Sequence, residues 1–294
     1  MNIRVEKLGS IVAELGEGPC WIAKSGRLFW LDIKGPSIHE WDSVTGQMVS
    51  YKAPDLISAI VPCAAGGWLA TAYHSLFYWE PDGSGLFQEV ARLAHLQPEV
   101  RFNDAKAGPD GRLWAGTMSM DGTSGLGALY AFESDYSWHE AIAGVSVSNG
   151  LDWNPEGTIM YYVDSPTRII QAFDYQDHGP LGRGRTAVAF GEEDLGIPDG
   201  LTVDTLGNIW VAHWGGSCVS HWNPATGECL DKIIVPAPQP TSCVFGGHNR
   251  DELFITSAKE GMDSQAKADH PDAGALFRAV ANVQGKPGFS FGRK

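Results

Sequence analysis

The chain has 294 residues, with 35 Asp and Glu against 21 Lys and Arg, and its formal net charge is −14. This charge disfavours nucleic acid and anionic membrane surfaces as partners. Hydrophobic residues make up 43% and charged residues 19%, which is typical of a globular protein with a substantial core. The N-terminus, MNIRVEKLGS, lacks the apolar region of a secretory signal, and no stretch approaches the ~20 apolar residues of a membrane-spanning helix. We therefore expect a cytoplasmic protein without a membrane partner.

Six segments with the composition of β-strands follow turn residues along the chain. They are RLFWLDI after Gly26, WLATAY after Gly67, RLWAGTM after Gly111, TIMYYVDS after Gly157, NIWVAHW after Gly207 and ELFITSA after Asp251. Aromatic and β-branched residues suit pleated strands, and glycine suits the turns before them. Turn positions at 26, 66, 111, 157, 207 and 251 give spacings of 40 to 50 residues. That period is typical of β-propeller blades.

The fourth repeat divides further into four short strands, SNGLDWN, TIMYYVDS, RIIQAFDY and RTAVAFG, separated by Pro and Gly. Four antiparallel strands make one propeller blade. We therefore predict an all-β fold, a six-bladed β-propeller with four antiparallel strands per blade, in a single domain over residues 1–294. The N-terminal segment IRVEKLGSIVAEL is expected to pair with the last blade and close the ring. A pair of β-sandwiches could use the same strands, but it does not explain the period.

Four polar side chains share one position in the repeat, eight or nine residues before a turn glycine: Glu17, Asn103, Asn149 and Asp199. The first strand of each blade lines the central channel of a propeller, so these oxygens are expected to converge at one mouth of the channel. Ser58 or its neighbour, and either Thr241 or Ser242, are expected at the same position in the other two repeats. Two acids and two amides suit one divalent cation, calcium, magnesium or manganese, and zinc also accepts carboxylates.

The motifs around these residues are GEGP at Glu17, RFNDAKAGPDGRLWAGTM at Asn103, SNGLDW at Asn149 and IPDGL at Asp199, with TSCVFGG near the end. In combination they resemble the regucalcin and gluconolactonase family of six-bladed propellers, over about residues 10 to 280. The resemblance implies an enzyme that hydrolyses a small-molecule sugar lactone, of the aldonolactone type, with the help of a divalent cation.

The same resemblance implies roles for individual residues. Glu17, Asn149 and Asp199 correspond to the metal ligands, and Asp199 also to the general base. Arg101 and Asn103 correspond to substrate-binding residues. Asp121 falls where relatives carry an acidic residue that binds sugar hydroxyls, although the surrounding SMDGTSG differs and the loop is shorter than in the animal relatives. Asp104 is expected to hold the turn of the RFND motif.

Other functions stay open at this stage. A calcium-binding regulatory protein would use the same oxygen ligands without a reaction, and a phosphotriesterase-like hydrolase would use them on another substrate. A propeller that serves only as an interaction scaffold would not need acids and amides in its channel. Among the histidines, His213 is the candidate for an additional base. The sequence contains no GxSxG, HExxH, Walker or dinucleotide-binding motif.

Overall fold

The computed structural model describes residues 3–81, 84–191 and 195–292. In these ranges twenty-four strands form six four-stranded antiparallel sheets, which confirms the predicted six-bladed propeller. No helix in the same ranges is long and apolar enough to cross a membrane. The interpretation of residues 1–294 as one domain stays a prediction.

The first three blades are consecutive along the chain, and within each blade the order runs from the innermost to the outermost strand. Blade one comprises β2 (Gly16–Ile22), β3 (Arg27–Asp32), β4 (Ser37–Asp42) and β5 (Met48–Lys52). Blade two comprises β6 (Ile57–Pro62), β7 (Trp68–Ala72), β8 (Ser75–Trp79) and β9 (Phe87–Arg92). Blade three comprises β10 (Val100–Ala107), β11 (Leu113–Ser119), β12 (Gly127–Phe132) and β13 (Trp138–Val145).

The remaining blades follow the same plan. Blade four comprises β14 (Ser148–Trp153), β15 (Ile159–Asp164), β16 (Ile169–Asp174) and β17 (Arg185–Ala189). Blade five comprises β18 (Ile197–Val203), β19 (Ile209–Trp214), β20 (Cys218–Asn223) and β21 (Glu228–Ile234). Blade six comprises β22 (Gln239–Gly246), β23 (Glu252–Ala258), β24 (Ala275–Val280) and β1 (Val5–Val12). A single 3₁₀ turn spans Ser165–Thr167, and the short helix α1 spans Ser264–Asp269.

The ring closes as predicted, because the N-terminal strand β1 is the outermost strand of the last blade. It pairs antiparallel with β24, with Val5 opposite Ala279 and Leu8 opposite Leu276. The inner strands β10 and β14 are largely buried, whereas the outer strand β13 is largely exposed. The inner strands line the channel and all run in the same direction along it. We call the end where they begin the first mouth and the end where they finish the second mouth.

Hydrophobic side chains fill the spaces between neighbouring blades rather than one central core. Blades two and three meet around Leu69, Phe102 and Phe132, and blades five and six meet around Val219 and Phe277. Because each blade is buried on both faces by its neighbours, the sheets stack around the channel and leave its lining free for polar residues.

The last part of the chain, residues 281–292, crosses the second mouth and forms a C-terminal strap. Its backbone hydrogen-bonds to blade six at Arg250 and to blade two at Pro62 and Ala64. Phe291 is 5% exposed, packs into the apolar layer between blades two and three and stacks on Tyr136. The strap thus ties separate parts of the ring together.

We expect Phe291→Ala to lower the free energy of unfolding by about 3–5 kcal/mol, because it removes a buried aromatic side chain and leaves a cavity. Chemical denaturation would measure the change. Leu206→Ala is the matched control, because Leu206 is 75% exposed and its removal should change stability by about 0.5 kcal/mol or less. Equal stability of the two variants would contradict an anchoring role for Phe291.

Candidate metal and substrate site

A β-bulge lies at the same place on the inner strand of each blade. The pairing between the inner and second strands shifts at six points: between Glu17 and Cys20, Ile57 and Ala59, Phe102 and Ala105, Ser148 and Leu151, Pro198 and Leu201, and Pro240 and Ser242. A bulge redirects the side chain that it carries and often lies beside a functional site. Each predicted site residue on an inner strand lies within or beside such a bulge.

Glycine follows three of the four polar residues because the inner strands approach each other closely. A Cβ on Gly150 would lie 2.5 Å from the Leu201 nitrogen and 2.6 Å from the Asp199 oxygen, both backbone atoms of the neighbouring blade. Gly18, after Glu17, has a φ of +55°, a conformation that other residues rarely adopt. The glycine in the sequence pairs EG, NG and DG is therefore part of the packing that brings the polar side chains of the site together.

A chain of hydrogen bonds connects the amide side chains across blades three, four and five. The Arg101 Nη1 donates to Asn103 Oδ1 at 2.9 Å, and Asn103 Nδ2 donates to Asn149 Oδ1 at 2.8 Å. Asn149 Nδ2 then donates to Ser165 Oγ at 2.7 Å, and Ser165 Oγ donates to the Pro198 carbonyl at 2.6 Å. The chain fixes the orientation of both amides, and Asn149 Oδ1 keeps a lone pair for another partner.

The two acids of the predicted set, Glu17 and Asp199, lie close together, and their carboxylate oxygens have few hydrogen-bond partners. Burial, followed by the charge of Asp104, raises the pKa of Glu17 to about 8, while Arg101 opposes the shift. Burial, followed by the charges of Glu17 and Asp104, raises the pKa of Asp199 well above its usual value. Glu17 Oε2 accepts a hydrogen bond from the Gly18 N–H, but the buried Asp199 Oδ1 has no partner.

This arrangement fits a divalent cation. Two neighbouring buried carboxylates with raised pKa values would both be stabilised as anions by a shared positive charge, and the cation would satisfy Asp199 Oδ1. The residues that would hold it are Glu17, Asn149 and Asp199. In the described part of the chain no three His, Cys, Asp or Glu side chains form a metal cluster by themselves, so the amide oxygen of Asn149 is essential to this set.

The corresponding positions of the other two blades are occupied by hydroxyl groups that bind protein atoms. Ser58 Oγ lies 2.9 Å from Thr71 Oγ1, and Thr241 Oγ1 donates to the Gly16 carbonyl at 2.5 Å. Blades two and six therefore contribute hydroxyl groups that are already bonded to protein atoms. The candidate oxygen ligands come from blade one, through Glu17, and from blades four and five, through Asn149 and Asp199.

The predicted substrate-binding residue Arg101 lies beside the carboxylates and is 6% exposed. Its Nη1 donates to the Phe102 carbonyl at 2.7 Å as well as to Asn103. Burial lowers the pKa of Arg101, and the charges of Glu17 and Glu260 oppose this shift. Glu260 follows β23 on the loop that contains α1, so this loop and Arg101 border the first mouth together.

The structure places Asp121 on an exposed turn after β11, at the edge of the first mouth. Its Oδ1 accepts hydrogen bonds from Ser119 Oγ at 2.5 Å and from the Thr123 N–H at 2.9 Å, and these lower its pKa to about 2. The structure shows no hydrogen bond from Asp121 to Arg101 or Asn103 among the described residues. Its role in binding sugar hydroxyls stays a prediction.

His213, the histidine singled out as a candidate base, lies away from the channel lining. It is fully buried on β19, with Nε2 2.6 Å from Ser220 Oγ and its ring against Phe190. Burial lowers its pKa to about 3, so the imidazole is neutral at physiological pH. It is a core residue of the layer between blades four and five.

Sequence reasoning missed a second group of charged residues farther along the channel. Asp104, expected to serve the RFND turn, instead lines the channel and raises the pKa of both Glu17 and Asp199. Lys106, Asp152 and Lys286 lie beyond it toward the second mouth. Asp104 and Lys106 are two residues apart on β10, a spacing that places side chains on one face of a strand and could have indicated both.

Comparison with known proteins identifies the family of the chain. Residues 15–259 match the model of the SMP-30/Gluconolactonase/LRE-like region. The chain belongs to this family. Regucalcin of Danio rerio is 38% identical over 99% of both chains, and a Bacillus subtilis protein provisionally named sugar lactone lactonase YvrE is 36% identical over 93% of both.

Solved structures of the SMP-30/gluconolactonase family share the fold. A calcium-binding protein, regucalcin, from Agrobacterium tumefaciens superposes with a TM-score of 0.92 at 27% identity, over 99% of this chain and 98% of that one. A gluconolactonase from Xanthomonas campestris has a TM-score of 0.76 at 21% identity, over 95% of this chain and 89% of that one, and this likeness concerns the fold alone.

We expect Gly150→Ala to weaken divalent-cation binding and to lower the free energy of unfolding by about 1–3 kcal/mol, because the new methyl group would displace the backbone that carries Asp199. Calorimetric titration of calcium and chemical denaturation would measure the two effects. Gly191→Ala is the control, because a Cβ on Gly191 meets no atom within 4 Å. Unchanged calcium affinity in Gly150→Ala would contradict the proposed packing constraint.

A second prediction concerns the chelated, cation-free protein. The folded-state pKa of Glu17 is raised from 4.5 to about 8, so folding favours its protonated form. Stability should therefore be highest below about pH 4.5 with respect to this group, and it should fall as the pH rises toward 8, by on the order of a few kcal/mol. Glu17→Gln should flatten this dependence in denaturation experiments between pH 5 and 8. Parallel pH profiles of the two proteins would refute the assignment.

Proposed function

We propose that this protein hydrolyses a sugar lactone, of the aldonolactone type, to the aldonic acid with the help of one divalent cation. The observation that carries the proposal is the pair of neighbouring buried carboxylates, Glu17 and Asp199, with an Asp199 oxygen that has no protein partner. The names of the family and of YvrE support a lactone as the substrate.

The cation, held by Glu17, Asn149 and Asp199, would supply Lewis-acid polarisation of the lactone carbonyl, worth several kcal/mol of transition-state stabilisation. Calcium, zinc, manganese and magnesium are the candidates from the ligand chemistry. The site needs both carboxylates in their ionised form, and the burial that raises their pKa values makes proton release part of cation binding.

Asp199 is proposed to act as the general base. It would accept a proton from the water that attacks the carbonyl carbon, and it would return this proton to the leaving alkoxide as the ring C–O bond breaks. Burial raises the pKa of Asp199, whereas a neighbouring cation would lower it, so the two effects oppose each other. The carboxylate is therefore suited to exchange a proton in the course of the reaction.

Arg101 and Asn103 are proposed to bind the lactone. The guanidinium group is a permanent cation with several donors, and it can support negative charge that develops on the substrate. Asn103 both donates and accepts, as recognition of sugar hydroxyls requires. Their present hydrogen bond orients both groups at the first mouth. Asp121, on the exposed turn at the same mouth, would accept hydrogen bonds from outer hydroxyls.

A calcium-binding protein without enzymatic activity is the second candidate, favoured by the likeness to proteins named regucalcin. It would use the same three ligands. Calcium binding that depends on Glu17 and Asp199, together with no hydrolysis of any lactone, would favour this function over the first.

The deciding experiment is a panel of five- and six-carbon aldonolactones at neutral pH, with each of the four cations restored after chelation. We expect chelation to abolish hydrolysis and Asp199→Asn to lower kcat/KM by about 10²–10⁴-fold, the range for loss of a general base. Asp177→Asn, at an exposed carboxylate that follows β16 on the side away from the first mouth, is the control and should keep full activity. Spontaneous opening of the lactones is subtracted. Activity that survives both chelation and Asp199→Asn would rule out the proposed mechanism.

A further inference from the structure

A cavity of about 820 Å³ opens toward the second mouth of the channel, beyond the ring of site residues. Its inner end is bordered by Gly18 and Asp104, and its outer end by the C-terminal strap at Lys286 and Phe289. The volume is within the range of small-molecule binding sites, about 300–1,000 Å³. The predicted metal ligands Glu17, Asn149 and Asp199 are not among its lining residues in the described part of the chain, and the cavity adjoins them at Gly18 and Asp104.

The charge of the cavity wall is opposite to that of the protein. The wall contains five cationic and two anionic side chains: Lys24, Arg27, Lys106, Arg250 and Lys286, and Asp104 and Asp152. The chain as a whole has 35 acidic against 21 basic residues. A positively charged, partly enclosed surface concentrates anions, and its field is strengthened by the low dielectric of the surrounding protein.

Some of these charges are already neutralised. Lys286 Nζ lies 2.5 Å from Asp152 Oδ1, and both side chains are more than 90% buried. Asp152 also accepts hydrogen bonds from the backbone N–H groups of Trp153 and Val203. Arg27 pairs with Glu40 at 2.6 Å. The buried Lys286–Asp152 pair fixes the strap over the cavity.

Lys106 and Arg250 keep donors for a ligand. Lys106 Nζ donates to the Leu201 carbonyl at 3.1 Å, is 3.6 Å from Asp152 Oδ2, and its side chain is 34% exposed to the cavity solvent. Arg250 donates through Nε to the Gly285 carbonyl at 3.2 Å, and the described residues provide it with no carboxylate partner. Asp152 is thus shared between Lys106 and Lys286, so the cations of the cavity wall outnumber the carboxylates that can neutralise them.

The wall also contains an apolar surface. Trp21, Phe29, Trp68 and Phe289 contribute aromatic rings to the cavity. Aromatic walls with a few polar groups are typical of small-molecule sites.

We propose that the second mouth binds a small organic anion, whose carboxylate or phosphate is held by Lys106 and Arg250 and whose apolar part packs against the aromatic wall. This site is independent of the lactone-hydrolysing function proposed for the first mouth. The positive wall selects the charge of the ligand, the aromatic rings select its apolar part, and the strap, anchored by Lys286, forms the outer boundary.

Binding is tested by isothermal titration of the full chain with phenyl phosphate, phenylacetate and the uncharged 2-phenylethanol. We expect the two anions to bind, with affinity that falls as salt is added, and the alcohol to bind much more weakly. Comparison of phenyl phosphate with phenylacetate decides between the two acidic groups. Equal affinity for the alcohol and the anions, or no detectable binding of either anion, would overturn the proposal.

Substitutions locate the site. Lys106→Met and Arg250→Met should each raise the Kd of the preferred anion about 10-fold or more, the loss expected for one charged hydrogen bond. Lys106→Arg should retain binding, and it replaces Lys106→Met if that variant does not fold. Lys52→Met, on the exposed outer strand β5, is the matched control. Equal Kd values in Arg250→Met and Lys52→Met would refute the assignment of Arg250.

The same titration on Asp199→Asn separates this site from the first mouth. Both proteins are titrated after chelation, so that neither carries a cation at the first mouth. We expect Asp199→Asn then to bind the anion about as tightly as the unmodified protein, whether or not either protein hydrolyses a lactone. Anion binding that is lost in Asp199→Asn but kept in Lys106→Met would show that the anion occupies the first mouth, and the proposed second site would then be wrong.

Discussion

Closure of the ring by β1 on β24 is the constraint on which the rest of the structure depends. Without this pairing blade six would lack its outermost strand, and the two ends of the sheet array would not be joined. Closure forces the six inner strands around one channel, so side chains at equivalent positions meet although they are far apart in sequence. Glu17 and Asp199 become neighbours in this way, at a separation of more than half the chain.

The neighbouring carboxylates of Glu17 and Asp199 destabilise the folded protein, and the rest of the fold holds them in place. Both are buried, the charge of Glu17 raises the proton affinity of Asp199, and Asp104 adds a third negative charge that acts on both. Apolar layers between the blades hold the strands at this distance, and the hydrogen-bond chain through Asn103 and Asn149 fixes the adjoining amides. A cation site benefits from carboxylates that are held in place before the ion binds, because none of the binding free energy is then used to bring the ligands together.

Repetition explains how much of the molecule was predictable. The turn spacing predicted the six blades, and the N-terminal segment before the first repeat predicted the closing strand. The β-bulges were not predicted, although the shared polar positions, such as Asn149, lie at them. The C-terminal strap was not predicted, because it occurs once and its contacts, such as Phe291 with Pro62, join distant segments. The pairing of Lys286 with Asp152 was missed for the same reason, since no local pattern relates residues 134 positions apart.

The channel has opposite electrostatic character at its two ends. Carboxylates of Glu17, Asp104 and Asp199 dominate the first half, and the cations that line the cavity dominate the second. Lys106 lies at the transition, where its charge acts on both Asp104 and Asp152. A cation in the first half and an anion in the second would attract each other through a medium of low dielectric. Each would therefore increase the affinity of the other, and thermodynamic linkage makes that effect equal in both directions.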